Sequence, residues 1–403
     1  MTGKGGCFPP IVIVNDFGYV DGGASAVALN TATLLSREGY EVTFFCGEGP
    51  VAPELQNSNA HVICIGDYSI NSDPLRVHAA MHGIWNIHAY HELRNLLQQN
   101  EYNDALVHIH TWTKVLSSSI FKAAADTGHK TILTVHDYFS VCPNGGFYNY
   151  QTQSICSLVP MSPACRKCNC DKRSVAQKKW RVIRQCTQDR WIRSNPSIHY
   201  AFVSEFCRDV LVPYLNSVYP YHVLRNPISH LELEDVSPEK DVFLYIGRVV
   251  PEKGVDLFCE AIRSIGAKGL VIGAGDSLQE LKEHYSDCVS FKGWLQIQEM
   301  RDCGIGHARA LVMPSRWYEA AGLVPLQVLE WGIPCVVPDK CAASTYIESG
   351  VNGYVFRTGD VEDLKDKLRK LLLSPLYPKP IVIDDEEYLN SLVSLYKEVD
   401  KNE

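Results

Sequence analysis

Three observations in the sequence predict an α/β protein built as two doubly wound domains. Short apolar, β-rich runs alternate with helix-period segments along nearly the whole chain, the pattern of parallel strands joined by helical crossovers. The rhythm pauses once, at residues 229–240, which are polar and acidic and include Pro238. A chain of 403 residues is also longer than one ordinary core accommodates. The expected division is a first domain at 1–228, a second at 229–380 and a last helical segment at 381–403.

In the first domain, strands are expected at 11–15, 42–46, 61–65, 105–110, 131–135 and 198–203, with helices at 24–38, 87–99, 115–127 and 174–193. The second domain restarts with strands at 242–246, 269–272, 288–291, 310–313 and 335–337. Helices are expected between them at 255–265, 277–285, 297–303 and 324–331, and after them at 361–373. Pro375, Pro378 and Pro380 then break the chain before a final helix at 386–399. Ligands of such sheets sit outside the carboxyl ends of the strands, so the interdomain cleft is the expected site.

Composition narrows the class. Hydrophobic residues make up 46% and charged residues 21%, as in a soluble globular protein. No apolar run approaches the roughly 18 residues of a membrane span. The first ten residues lack the apolar stretch of a signal peptide, so the expected location is the cytoplasm. The net charge of −8 hides one basic segment, 166–193, with ten Lys/Arg against Asp171 and Asp189. A general nucleic-acid binder would carry a dominant basic surface, which the acidic remainder excludes.

Four segments carry candidate chemistry. The first strand runs into Asp16-Phe17-Gly18-Tyr19-Val20-Asp21-Gly22-Gly23-Ala24-Ser25 and then a helix. Paired glycines allow close backbone approach to a ligand, and the new helix N-terminus favours an anion, although a tight turn would use the same residues. His136-Asp137 follows a buried strand directly, which places two polar groups at the cleft or at a capped loop start. The second domain opens with Gly247-Arg248 and, five positions later, Lys253-Gly254. Two cations beside a helix start suit a diphosphate. The segment from Pro314 to Pro334 sets Glu319 in a loop after a strand, then Gly322, then a helix whose first N–H groups are free.

Together these motifs resemble the family 4 glycosyltransferases of the GT-B fold. The resemblance rests on Gly22-Gly23, His136-Asp137, Asn226-Pro227, Gly247-Arg248 with Lys253-Gly254, Gly273-Ala274-Gly275, the run from Glu319 to Gly332, and Asn352-Gly353. It covers nearly the whole chain. It implies two Rossmann-like domains facing a cleft, with the C-terminal helix crossing back to the first domain. It also implies a retaining transfer of a sugar from a nucleotide-diphosphate sugar to a saccharide or lipid-linked acceptor, in surface polysaccharide or glycan assembly. The donor diphosphate would lie on Arg248 and Lys253, and donor-sugar hydroxyls on Glu319 and His136. Backbone at Gly22, Gly23, Gly247, Gly275, Gly322, Leu323 and Val324 would line the donor site.

Two departures qualify the match. Eight residues after Glu319, where the family carries a second glutamate that accepts hydrogen bonds from the donor ribose, stands Gln327, which keeps an acceptor oxygen but no charge. Weaker or altered donor binding is expected from it. A non-catalytic nucleotide-sugar-binding protein and a GT-B epimerase are the rival readings. No D-x-D pair sits at a strand end, so no cofactor or metal is expected in catalysis.

Two features lie outside these motifs. Of the fifteen cysteines, Cys142, Cys156, Cys165 and Cys168, with Cys170 beside them, fall in a polar excursion at 139–173. Their spacing is compatible with a structural zinc site, with buried thiols or with disulfides. Residues 174–193 place Ala176, Trp180, Ile183, Thr187 and Trp191 at helical spacing among Lys178, Lys179, Arg181, Arg184 and Arg190. Such a stripe packs on the domain core or lies on an anionic membrane surface, the latter making the protein peripheral at the inner face of a membrane.

Overall fold

The computed structural model describes residues 8–193, 195, 197–215, 220–228, 233, 236, 242–382 and 384–401, the side chain of Ile297 excepted. The linker expected at 229–240 lies outside the described residues apart from 233 and 236.

The apolar runs form two parallel sheets. The first contains β1 (Ile11–Phe17), β2 (Val42–Glu48), β3 (His61–Cys64), β4 (Leu106–Ile109), β5 (Thr131–Val135), β6 (Ile198–Phe202) and β7 (Tyr221–Val223), in the order 3-2-1-4-5-6-7. The second contains β8 (Val242–Ile246), β9 (Lys268–Ile272), β10 (Val289–Gly293), β11 (Ala310–Val312), β12 (Cys335–Pro338) and β13 (Gly353–Phe356), in the order 10-9-8-11-12-13. Side chains alternate between the faces of each strand, and both faces of the first sheet are dry. Val12, Val14, Val107, Ile109, Leu133 and Val135 fill one core, while Ile11, Ile13, Phe44, Leu106 and Ile132 fill the other.

The Asp385–Lys401 helix seals that second core. It buries Tyr388, Leu392, Leu395, Tyr396 and Val399 against the first sheet and the Gly23–Arg37 helix. Two hydroxyls pin it: Tyr388 Oη lies 2.6 Å from Thr31 Oγ1, and Tyr396 Oη lies 2.7 Å from His108 Nδ1.

Four differences from the expected elements have physical causes. β7 and β13 are three- and four-residue edge strands, too short for a period to show. The short Arg76–His82 helix has no apolar periodicity that faces a core; of its residues only Ala79 is buried. The helix expected at 115–127 begins at Ser119, because Asp16 takes the amides of Lys114, Val115 and Leu116, each at 2.9 Å. The Val175–Trp191 helix packs only part of its stripe: Trp191 lies against the first core and Trp180 on the Ala80 backbone, while polar side chains take much of the inner face. Lys178, Arg184, Gln185 and Gln188 face inward and are buried, whereas Ile183 and Val175 are exposed.

Those inward polar groups satisfy loop backbone at the carboxyl end of the sheet. Arg184 donates to the carbonyls of Thr113 and Pro143, and its guanidinium lies over the Phe139 ring. Gln188 donates to the Phe139 carbonyl at 2.6 Å and accepts from Trp112 Nε1 at 3.1 Å.

The cysteine excursion packs on the same helix. Lys178 Nζ lies 3.2 Å from Cys170 Sγ and 3.8 Å from Cys165 Sγ, and Cys168 Sγ accepts from Asn149 Nδ2 at 3.9 Å. Among the described residues no three His, Cys, Asp or Glu side chains converge as a metal ligand set. Cys142, Cys156, Cys165 and Cys168 are thus not gathered into one ligand set among the described residues, and burial raises the pKa of the Cys142, Cys156 and Cys170 thiols.

Candidate active site

Between the carboxyl edges of the two sheets lies a cavity of about 300 Å³. Its first-domain wall comes from the loops after β1 and β5, carrying Gly22, Gly23, His136 and Asp137. Its second-domain wall comes from the loops after β8 and β11, carrying Gly247, Arg248, Lys253, Glu319, Gly322, Leu323 and Val324. Gly275 and Gln327 are not among its lining residues. Gly275 instead closes a turn on Val249, whose carbonyl oxygen would lie 2.3 Å from an added Cβ. Gln327 sits beyond the first turn of the Leu323–Glu330 helix.

Glu319 is the hub of the second-domain wall. A one-residue bridge to Cys341 holds its backbone, with the Glu319 amide on Lys340 and its carbonyl accepting from Ala342. Its Oε1 accepts from Lys253 Nζ at 2.5 Å, Ser315 Oγ at 2.7 Å and Trp317 Nε1 at 2.6 Å. Burial opposes ionisation, but Lys253 and the two neutral donors outweigh it and hold the carboxyl below its ordinary range. Lys253 Nζ also lies 5.1 Å over the Trp317 ring. Arg248, by contrast, is 61% exposed, and its nearest carboxylate is Glu252 at 3.9 Å. Lys253 is committed to the hub, whereas Arg248 stays exposed with only a long pairing to Glu252.

Glycines set the loop that carries the cations. Gly254 has φ of 66°, and an added Cβ would stand 2.1 Å from the Pro314 carbonyl oxygen, so the Lys253 loop lies directly on the Pro314 backbone. Gly22 differs: its backbone is extended, and nothing lies within 4 Å of an added Cβ. Its open side borders the cavity. At Gly23 an added Cβ would stand 3.2 Å from Leu323 Cδ1, so the N-termini of the Gly23–Arg37 and Leu323–Glu330 helices face one another across the cleft. Both leave unpaired N–H groups there.

The first-domain wall is histidine-rich. His136 Nε2 lies 3.0 Å from His110 Nδ1, and the His110 ring packs 4.3 Å from that of His108. Burial lowers the His136 and His108 pKa values to about 3 and holds His110 well below the ordinary value. His136 is therefore a neutral imidazole at neutral pH, a hydrogen-bonding group rather than a cation. Burial pushes the neighbouring Asp137 carboxyl up to about 6, against the Phe139 amide, which donates to it at 2.9 Å.

The sequence motifs did not assign roles to Ser315, Trp317, Tyr245 or His110. Ser315 and Trp317 sit in a loop without periodicity. Their only trace in the sequence is two hydrogen-bond donors closely preceding a loop glutamate.

Two parallel sheets facing a cleft of this kind, closed by a C-terminal helix that returns to the first, define the GT-B fold. The sucrose-phosphate synthase of Thermosynechococcus elongatus superposes with a TM-score of 0.69 at 14% identity, over 97% of this chain and 99% of that one. HepE of Anabaena, solved in complex with UDP-glucose, superposes with a TM-score of 0.60 at 13% identity, over 97% and 94%. The chain belongs to glycosyltransferase family 4: that family's model matches residues 21–230, and the model for glycosyl transferases group 1 matches 240–374. It is similar to the sulfoquinovosyl transferase SQD2 of Arabidopsis thaliana, 30% identical over 156 residues, which are 37% of this chain and 30% of that one. The chain spans about a third of the length of the curated relatives it matches first.

Proposed function

We propose that this glycosyltransferase takes its sugar from a nucleotide-diphosphate donor bound in the interdomain cleft and transfers it with retention of configuration. The observation that carries the reading is the Glu319 hub with Lys253, set beside an exposed Arg248 and opposite Gly22 and His136 in one cavity. HepE, which shares the fold, was solved with UDP-glucose.

Charge development accounts for the division of labour. As the bond from the anomeric carbon to the diphosphate oxygen breaks, negative charge grows on the diphosphate and the sugar becomes oxocarbenium-like. Arg248, Lys253 and the free N–H groups of Leu323 and Val324 stabilise the leaving group as preorganised donors. Glu319, with Oε1 saturated by protein donors, offers its other oxygen to sugar hydroxyls. Neutral His136 holds a further hydroxyl from the opposite wall. The acceptor hydroxyl enters on the face the diphosphate leaves, and its proton passes to the departing phosphate. No side-chain nucleophile or metal is needed. The acceptor is a saccharide or a lipid-linked glycan, as in surface polysaccharide assembly.

The test is release of nucleoside diphosphate from a panel of UDP-, GDP- and ADP-sugars, with the product anomer read by proton NMR. We expect one base to be used, configuration to be retained, and Lys253→Ala to slow release by about a hundredfold or more, the scale for one lost transition-state donor. An inverted product, or a Lys253→Ala rate equal to wild type, contradicts this mechanism. Binding without turnover of any donor would favour a non-catalytic nucleotide-sugar-binding protein.

A further inference from the structure

The Val175–Trp191 helix turns Val175 and Ile183 outward among cations, because Lys178, Arg184, Gln185 and Gln188 are used inside. Ile183 is 56% exposed, with Val175, Lys179, Cys186 and Arg190 also on the outer side. The Arg76–His82 helix runs beside it. Trp180 Nε1 donates to the Ala80 carbonyl at 2.8 Å, its ring would contact a Cβ added at Gly83, and further along the Trp85 and Trp191 rings lie 6.1 Å apart. On this second ridge Leu75 is 67%, Val77 75% and Met81 67% exposed. The two ridges make one apolar surface with tryptophans in the seam.

Cations surround it. Arg76, Arg173, Lys179 and Arg190 are exposed, and none forms an ion pair among the described residues. The carboxylates of this region are already engaged: Asp73 by His78, Asp67 by His88, Asp171 by Arg181 and Asp189 by Arg193. Arg190 and Lys122 both lie over the Trp191 ring, at 5.4 and 4.8 Å. The Val175–Trp191 helix lies under the carboxyl end of the first sheet, where Arg184 reaches the Thr113 and Pro143 carbonyls of the loops after β4 and β5.

We propose that this face docks on an anionic lipid bilayer, with Val77, Met81 and Ile183 entering the acyl boundary, the tryptophans at headgroup depth and the unpaired cations on lipid phosphates. Exposed aliphatics, interfacial tryptophans and a cationic rim are what such a surface recognises. A second copy of this chain is a poorer occupant, because symmetric pairing brings the same unpaired cations together. Docking would hold the cleft mouth at the membrane plane, where an acceptor with a lipid tail lies. The surface stands independently of the nucleotide reading of the cleft.

Flotation of the full chain with phosphatidylcholine vesicles, with and without phosphatidylglycerol, tests this. We expect binding to the anionic vesicles, weakened by salt, and at least about tenfold less to phosphatidylcholine alone. The triple substitution Val77→Ser, Met81→Ser and Ile183→Ser should reduce anionic binding about tenfold while the nucleotide-induced rise in melting temperature stays at the wild-type value. That rise reports separately on the fold and the cleft. Absence of vesicle binding, or undiminished binding by the triple variant, overturns the proposal. So does self-association in light scattering that the substitutions abolish without any vesicle binding.

Discussion

Three donors share Glu319 Oε1, which makes the carboxylate a fixed point of the cleft rather than a mobile side chain. The sequence motif supplies Glu319 and Lys253 but not their pairing, because 66 residues separate them and only the sheet order brings them together. Ser315 and Trp317 are invisible for a related reason: a loop has no period, so its donors declare themselves only once the loop is folded.

The opposite wall has a consequence in pH. His108, His110 and His136 stay neutral in the fold but take up protons in the unfolded chain below about pH 6.5. Stability is therefore lost as pH falls from about 6.5 towards 3. His108 and His136 should each contribute about 2 kcal/mol of loss by pH 5, and His110 acts in the same direction. Asp137, raised to about 6 by burial, and Asp16, raised by burial, act in the opposite sense, since their folded forms hold protons that the unfolded chain has released. His108 and His136 together outweigh Asp137 above pH 5. Urea unfolding at pH 7.5 and pH 5 should show a drop of several kcal/mol, and a flat profile would mean that the histidines titrate in the fold.

At the scale of elements, strands with continuous apolar runs and long crossover helices are legible because burial on both faces leaves a compositional mark. The orientation of the Val175–Trp191 helix is not. Its apolar stripe and its cations are both present in the sequence, but which side faces the protein depends on loop carbonyls at Thr113, Phe139 and Pro143 that need polar partners. The cysteine spacing was likewise ambiguous, and the fold sets two of its thiols beside Lys178.

Glycines at two element boundaries separate scaffold from site. Gly254→Ala forces a Cβ against the Pro314 backbone at a left-handed φ of 66°, and should cost more than about 2 kcal/mol in urea unfolding. Gly22→Ala has extended backbone and open space, so its stability should stay within about 0.5 kcal/mol of wild type. Nucleotide-sugar turnover should fall in both, in the second because the methyl group enters the cleft. A stable, fully active Gly22→Ala variant would remove that loop from the site.

The whole molecule is two domains in contact around a cleft. Tyr318 of the second domain sits among Tyr138, Phe147 and Phe206 of the first, with ring centroids about 6 Å apart. Ser204 Oγ donates to the Ala320 carbonyl at 2.5 Å, and Lys172 pairs with Asp276 at 2.5 Å. The C-terminal helix ties the second half of the chain back onto the first core. These contacts fix the cavity walls relative to each other, which is what lets Arg248 and Lys253 face Gly22 and His136.

The central claim is that this cavity binds a nucleoside diphosphate through the second-domain cations. Calorimetric titration of UDP, GDP and ADP into wild type and the Arg248→Ala variant tests it most directly. One of the three should bind wild type and bind the variant at least about tenfold more weakly, the loss of roughly 1.4 kcal/mol expected when one charge-assisted contact is removed. Equal affinity in the two proteins, or no binding of any of the three to wild type, would contradict the account.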